Sequence, residues 1–191
     1  MKLYGTTTSP FVRRVRIIAA AVGEPVELVP TAGDAGQATL RAVSPIRKVP
    51  VADVDGRRLF DSRVIGDWLI ATRGWGELVP PRDPWRDANL INAIDGAVDS
   101  LVTLYTAGRE GVVYADTKFE RRQLDRVEAI FAWVADQLAP GRFGLAEVSV
   151  VCALDWMDFR KTYPTERATA LAPVRAALAD HPAIASTRPH E

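Results

Sequence analysis

Lys48-Val49-Pro50-Val51, with its echo Asp61-Ser62 beyond an Asp55-Gly56 turn, decides how this chain reads. Proline cannot donate to a sheet ladder, so Pro50 belongs where a loop enters a strand. A proline held cis there turns the carbonyl and N–H of Val49 outward, where an extended peptide can pair with them. Residues 51–54 and 58–60 then read as two strands joined at Asp55-Gly56, a strong hairpin signal. Asp61-Ser62 opens a helix. A serine at a helix start offers a hydroxyl, a backbone N–H and the positive end of the dipole, which suit a carboxylate. One loop holds a peptide backbone and the next a carboxylate, which describes a site for a small acidic peptide. Plain roles also fit these residues: a trans proline before a strand, and a polar pair that only caps a helix.

Working back from that stretch, residues 2–4 read as a strand and 5–8 as a loop. Ser9-Pro10 supplies an N-cap and the first residue of a helix. Phe11, Val12, Val15, Ile18, Ala19 and Val22 follow helical spacing, and Gly23 stops it. Arg13, Arg14 and Arg16 read as a solvated or salt-bridged face. Residues 26–29 make a second strand, and the helix between is long enough for a parallel crossover. Thr31 to Gly36 reads as a polar loop and 37–43 as a short helix ended by Ser44-Pro45. The order β-α-β-α-β-β-α places one parallel pair and one hairpin in a single four-stranded sheet with helices on its faces.

Working forward, Gly and Pro crowd residues 74–84, which reads as a linker. Everything beyond is helical. Asp83-Pro84 opens a helix reaching Tyr105, and Asp116 stands where it can cap another, carrying Leu124, Val127, Phe131, Val134 and Leu138. Residues 145–160 are apolar on most sides, as in a central buried helix. Residues 165–180 form a further helix with a break at Pro173, and His181-Pro182 begins a last short one.

The chain has 191 residues, 24 basic and 24 acidic, so its zero net charge gives no reason to expect nucleic acid or an anionic membrane. A single cysteine, Cys152, excludes an internal disulfide or an all-cysteine metal site, and with only His181 and His190 a metal is not expected. No apolar run is long enough to span a bilayer. The N-terminus reads straight into a strand, without a signal peptide, and the expected compartment is the cytoplasm.

These parts together resemble the glutathione S-transferase superfamily: Ser9-Pro10-Phe11-Val12-Arg13-Arg14, Lys48-Val49-Pro50-Val51, Asp61-Ser62, Pro81-Arg82-Asp83-Pro84 and the helix ending Asp158-Phe159-Arg160. The likeness is to bacterial members with a Thr-Ser-Pro-Phe-Val-Arg opening. It implies an α/β thioredoxin-like domain over residues 1–75, a linker over 76–83 and an all-α domain over 84–191. It also implies a homodimer. Val49, beside a cis Pro50, would pair with the cysteinyl part of glutathione. Asp61 and Ser62 would hold the γ-glutamyl end, and Lys48 and Gln37 the glycyl end. Phe11, Tyr105, Trp156 and Tyr163 are candidates for a second-substrate pocket between the domains, although aromatic rings on helices are more often core.

Ser9-Pro10-Phe11-Val12 occupies the place where thiol oxidoreductases of this fold carry Cys-Pro-aromatic-Cys. Neither cysteine is present, which argues against dithiol chemistry. A hydroxyl at a helix start remains. Helix N-termini lower a thiol's pKa from its usual value of about 8.5, and a hydroxyl donating to bound thiolate favours the charged form. Ser9, or its rival Thr8, would thus activate glutathione for attack on a small hydrophobic electrophile. The alternatives are a binding or regulatory protein of this fold, or another glutathione-dependent reaction such as isomerisation or dehalogenation. Two departures stand out: Gly144-Leu145-Ala146-Glu147 replaces the family's Ser/Thr-x-x-Asp capping box, and Asp61 stands where many relatives carry glutamate.

Overall fold

The computed structural model describes residues 1–190. Two compact units divide them: Met1–Pro80 together with the residues from Asp180 onward, and Pro81–Ala179.

In the first unit, β1 (Lys2–Gly5), α1 (Pro10–Ala21) and β2 (Glu27–Pro30) form the expected crossover, with the two strands parallel. There follow α2 (Gly33–Val43), the hairpin strands β3 (Val51–Val54) and β4 (Arg57–Phe60), and α3 (Ser62–Arg73). The sheet order is β2-β1-β3-β4, with β3 antiparallel to both neighbours, a thioredoxin-like arrangement. The register places Tyr4 opposite Val51, Val51 opposite Phe60 and Gly5 opposite Pro30. The segments leaving β1, β2 and β4 and the segment entering β3 therefore emerge at one end of the sheet. Leu3, Val12, Val15, Ile18, Val51, Ala52, Ile65 and Leu69 are buried in this unit. Each large side chain among them contributes about 1.5–3 kcal/mol by leaving water.

Three details differ from the sequence reading. The helix expected over 37–43 begins at Gly33. Asp34 sits in its first turn, where the helix dipole favours a carboxylate, and Gly36 lies so close to the Thr31 backbone that a Cβ would stand 2.3 Å from the Thr31 carbonyl carbon. Its glycines serve approach and turn geometry rather than a loop. The second strand begins at Glu27, one residue later than expected. Arg13 and Arg14 do not form a solvated face: both are buried. Ile17 and Ala21 extend the buried surface of α1 beyond the stripe first read, so the arginines lie inside the packed arc.

The second unit holds α4 (Pro84–Arg109), α5 (Lys118–Ala135), α6 (Leu145–Arg160), a 3-10 segment (Thr165–Leu171) and α7 (Ala172–Leu178). α4 packs on α5 and α6. α6 buries eleven of its sixteen residues, which explains its apolar character on most sides. Thr117, not Asp116, caps α5: its hydroxyl accepts from Glu120 N–H, and Glu120 reaches back to Asp116 N–H. Pro173 is no break. It lies in the first turn of α7, where a missing N–H is harmless. At the start of α6, Gly144 makes no side-chain cap. Arg142 fills that space, donating to the buried Glu147 at 2.8 Å and standing 3.5 Å from Asp87. A Cβ on Gly144 would meet Arg142 Nη1 at 2.1 Å, so the family's usual capping residue would displace the Arg142 side chain.

The last stretch, with α8 (Pro182–Ala185), belongs to the first unit. This differs from the reading of 84–191 as one helical domain. The buried Arg13 holds it: the guanidinium donates to the Ile184 carbonyl at 3.2 Å and to Thr187 Oγ1 at 3.4 Å. The arginine that read as surface is the clamp, and nothing in the spacing of 165–190 announces a change of unit.

Candidate active site

Ser9 caps α1 in extended conformation, and its Oγ accepts from Val12 N–H at 3.3 Å. The neighbouring hydroxyls are engaged differently. Thr6 and Thr8 pair with each other at 3.2 Å, and Thr7 donates to the His190 carbonyl at 2.6 Å. Among the described residues, Ser9 Oγ accepts a hydrogen bond and donates none. A hydroxyl whose oxygen serves the cap keeps its proton for an anion at the positive helix end.

At the same end of the sheet, the Val49–Pro50 peptide bond is cis. Pro50 is buried, Val49 half-buried and Lys48 exposed. Gln37 lies on α2 with its amide nitrogen donating to the Thr31 carbonyl at 2.8 Å, so this side chain secures the turn between β2 and α2.

Asp61 is the N-cap of α3. Its φ of +73° bends the chain sharply out of β4, and its Oδ1 accepts from Arg63 N–H at 2.8 Å. One carboxylate oxygen is thus committed to the cap. Ser62, the first residue of α3, is 2% exposed, and its Oγ accepts from Arg14 Nη1 at 3.2 Å. The Arg14 guanidinium lies over the Phe11 ring, 5.6 Å from its centroid. Sequence reasoning missed Arg14. A signal was present: with Phe11, Val15 and Ile18 it completes an i, i+3, i+4, i+7 face, which places it inward.

Thr8, Ser9, Lys48, Val49, Pro50, Asp61 and Ser62 therefore come from segments converging on one end of one sheet, and Gln37 lies on the helix that follows there. The aromatic candidates of the second unit are placed differently. Trp156 and Tyr163 are core side chains, each 4% exposed, packed edge-on against Tyr105 and Phe131. Burial pushes the Tyr163 hydroxyl pKa up. Tyr105 is half-buried, with Arg160 over its ring. In the first unit, Phe11 is half-buried beside Ser9.

The opposite end of the sheet carries an open depression lined by Met1, Glu24, Asp55 and Arg57 among others. There the N-terminal ammonium and Arg73 both bind Glu24. Burial raises the Glu24 carboxyl pKa, but these two cations together hold it below its usual value. The depression is rimmed by charges of both signs, unlike the hydroxyl- and amide-rich end described above. Among the described residues, no cluster of three or more metal-ligating side chains occurs, and no helix is long and apolar enough to cross a membrane.

Comparison with known proteins also divides the chain in two, with the second part reaching past Ala179 into α8. The N-terminal domain model of glutathione S-transferase matches residues 3–77, and the C-terminal domain model matches residues 83–186. An uncharacterized GST-like protein of Escherichia coli K12, YibF, is 29% identical over 86% of this chain and 85% of its own length. A crystal structure of a glutathione S-transferase from Methylobacillus flagellatus KT with glutathione bound superimposes with a TM-score of 0.82, at 28% identity over 99% of each chain. A glutathione transferase family member from Pseudomonas fluorescens Pf-5, also with bound glutathione, gives 0.80 at 27% identity, covering 100% of this chain and 99% of that one.

Proposed function

From the premise that the chain belongs to the glutathione S-transferase family, we propose that it binds glutathione at the converging end of its sheet and activates the thiol for attack on a small hydrophobic electrophile. One observation carries this reading: the register of β1, β3 and β4 sends Ser9, Val49-Pro50 and Asp61-Ser62 to the same end. Each segment presents a different chemistry there. Val49 offers backbone groups for the cysteinyl peptide unit. Ser62, at the start of α3, suits the γ-glutamyl carboxylate, and Asp61 the adjacent amine. Lys48, exposed, is available to the glycyl carboxylate, with Gln37 more distant in role because its amide already holds Thr31.

Ser9 is the thiol activator in this reading, because it stands at the start of α1 and its proton is uncommitted, whereas Thr8 shares a hydrogen bond with Thr6 in which either hydroxyl can be the donor. Donation to sulfur stabilises the thiolate, the nucleophilic form, without a covalent bond to the protein. Phe11 is the aromatic surface beside Ser9 available to the second substrate. The protein works as a homodimer in the cytoplasm, without a metal.

The test is turnover of a generic aryl halide by wild type, Ser9→Ala and Thr8→Ala, with the ultraviolet absorbance of bound thiolate followed against pH. Ser9→Ala is expected to lose about 10²-fold in kcat, the usual size for one lost oxyanion donor, and to shift thiolate formation to higher pH. Equal rates in Ser9→Ala and wild type would move the role elsewhere. Glutathione binding without turnover of any electrophile would favour a binding or regulatory protein.

A further inference from the structure

Arg14 takes no part in the function proposed above, yet it is the residue on which Ser62 rests. Both side chains are nearly dry: Arg14 is 4% exposed and Ser62 2%. Their hydrogen bond, 3.2 Å from Nη1 to Oγ, is therefore little screened by solvent. An arginine has five N–H groups and no acceptor, and it keeps its proton at any physiological pH. The direction of the bond is fixed: Arg14 donates and Ser62 Oγ accepts. The hydroxyl proton of Ser62 must then point elsewhere. A serine inside a helix commonly donates to the carbonyl four residues back, but Ser62 is the first residue of α3 and has no helical carbonyl behind it. Among the described residues, Ser62 Oγ donates to none.

We infer that Arg14 is a positioning residue for ligand recognition: by donating to Ser62 Oγ, it turns the hydroxyl proton away from itself and towards the γ-glutamyl carboxylate. This rests on the glutathione reading above and deepens it. The oxygen keeps a second lone pair, but the guanidinium charge beside it disfavours a cationic donor such as an amine, so the position favours an anion or another acceptor. The charge-assisted bond also polarises the hydroxyl and strengthens its outward donation. The Phe11 ring, 5.6 Å from the guanidinium carbon, holds the planar group in place. A lysine ammonium is a rotating point charge and would not reproduce that fixed direction. Because Phe11 and Arg14 both follow Ser9 on α1, the helix whose start faces the thiol also sets the donor that meets the other end of the peptide.

The test compares two ligands by calorimetry: glutathione, and 4-aminobutanoyl-cysteinyl-glycine, which lacks only the γ-glutamyl carboxylate. Wild type is expected to prefer glutathione. Arg14→Met is expected to weaken glutathione about 10- to 100-fold, the range for a charge-assisted hydrogen bond, and to weaken the truncated peptide by less than about threefold, within the usual error of additivity. In a Ser62→Ala background, Arg14→Met is expected to add nothing, since its effect runs through that hydroxyl. Arg14→Lys, which keeps the charge and most of the volume, covers the case in which Arg14→Met does not fold; it is expected to fold and to lose most of the discrimination. Equal weakening of both peptides by Arg14→Lys, or undiminished preference for glutathione, would overturn the inference by reducing Arg14 to a tie between helices. Wild type that binds glutathione but does not distinguish the two peptides would also overturn it, leaving the broader reading intact. Wild type that binds neither peptide would remove both.

Discussion

At the scale of single residues, direction matters as much as identity. Ser9 and Ser62 are both serines at helix starts, but Ser9 accepts from its own helix and Ser62 from Arg14 on another. Their expected phenotypes differ accordingly. Ser62→Ala should weaken glutathione binding, and Ser9→Ala should spare binding while slowing turnover, a separation visible as a KM effect against a kcat effect. Glu147 supplies a prediction about stability. Burial raises its pKa above the usual 4.5, opposed by Arg142. The folded state therefore holds its proton more tightly than the unfolded state, and stability is lost as pH rises from about that usual value through the folded pKa. Glu147→Gln removes this dependence. Urea midpoints of wild type and variant between pH 4 and 7 should show wild type losing ground as pH rises. A constant difference would contradict the assignment.

At the scale of elements, the glycines separate into those that approach backbone and those that do not. Glycine inside a helix is worse than alanine by about 1 kcal/mol where the added methyl group fits. On α4, a methyl group added at Gly96 would have Ile130 Cδ1 as its nearest neighbour, 3.8 Å away, so Gly96→Ala should raise the melting temperature. Gly36→Ala meets the Thr31 backbone instead and should lower stability by about 1–3 kcal/mol, the range for overpacking. The C-terminal stretch is a second element-scale case. Arg13→Met removes both guanidinium bonds to Ile184 and Thr187, and a loss of about 1–3 kcal/mol is expected. Limited proteolysis should then cut first within 180–190. Unchanged resistance there would show that α8 is held by packing alone. These elements also show where the sequence was legible. The β1-α1-β2 crossover, the Asp55-Gly56 hairpin and the Ser9-Pro10 and Asp83-Pro84 helix starts rest on local chemistry, and local chemistry is written in neighbouring residues. The clamp of Arg13 on α8 joins positions more than 170 apart, and no local pattern records such a partner. Arg14 was hidden by a different cause: charge suggested surface, while phase on the helix placed it inside.

At the scale of the whole molecule, two family domains follow one another along the chain, and every polar residue proposed to meet glutathione lies in the first unit. The candidate site was legible from the sequence in the placement of its backbone and hydroxyl parts, because a strand-entrance proline and two helix starts are written in neighbouring residues. Its aromatic part was not, because Trp156 and Tyr163 satisfy the helical core first. Assembly is tested by sedimentation equilibrium, which should give twice the chain mass. Ile46 and Val64, each about half exposed, offer apolar surface on the first unit for such an association, and Val64→Glu should shift the equilibrium toward the single chain. The most direct test of the central claim is a titration of the nitrogen-15-labelled protein with glutathione, followed by amide chemical shifts. The account predicts saturable changes concentrated at residues 5–11, 48–51 and 61–63, at one end of the sheet. Saturating glutathione that moves none of these amides, or moves instead those of Glu24, Asp55 and Arg57 at the other end, would contradict it.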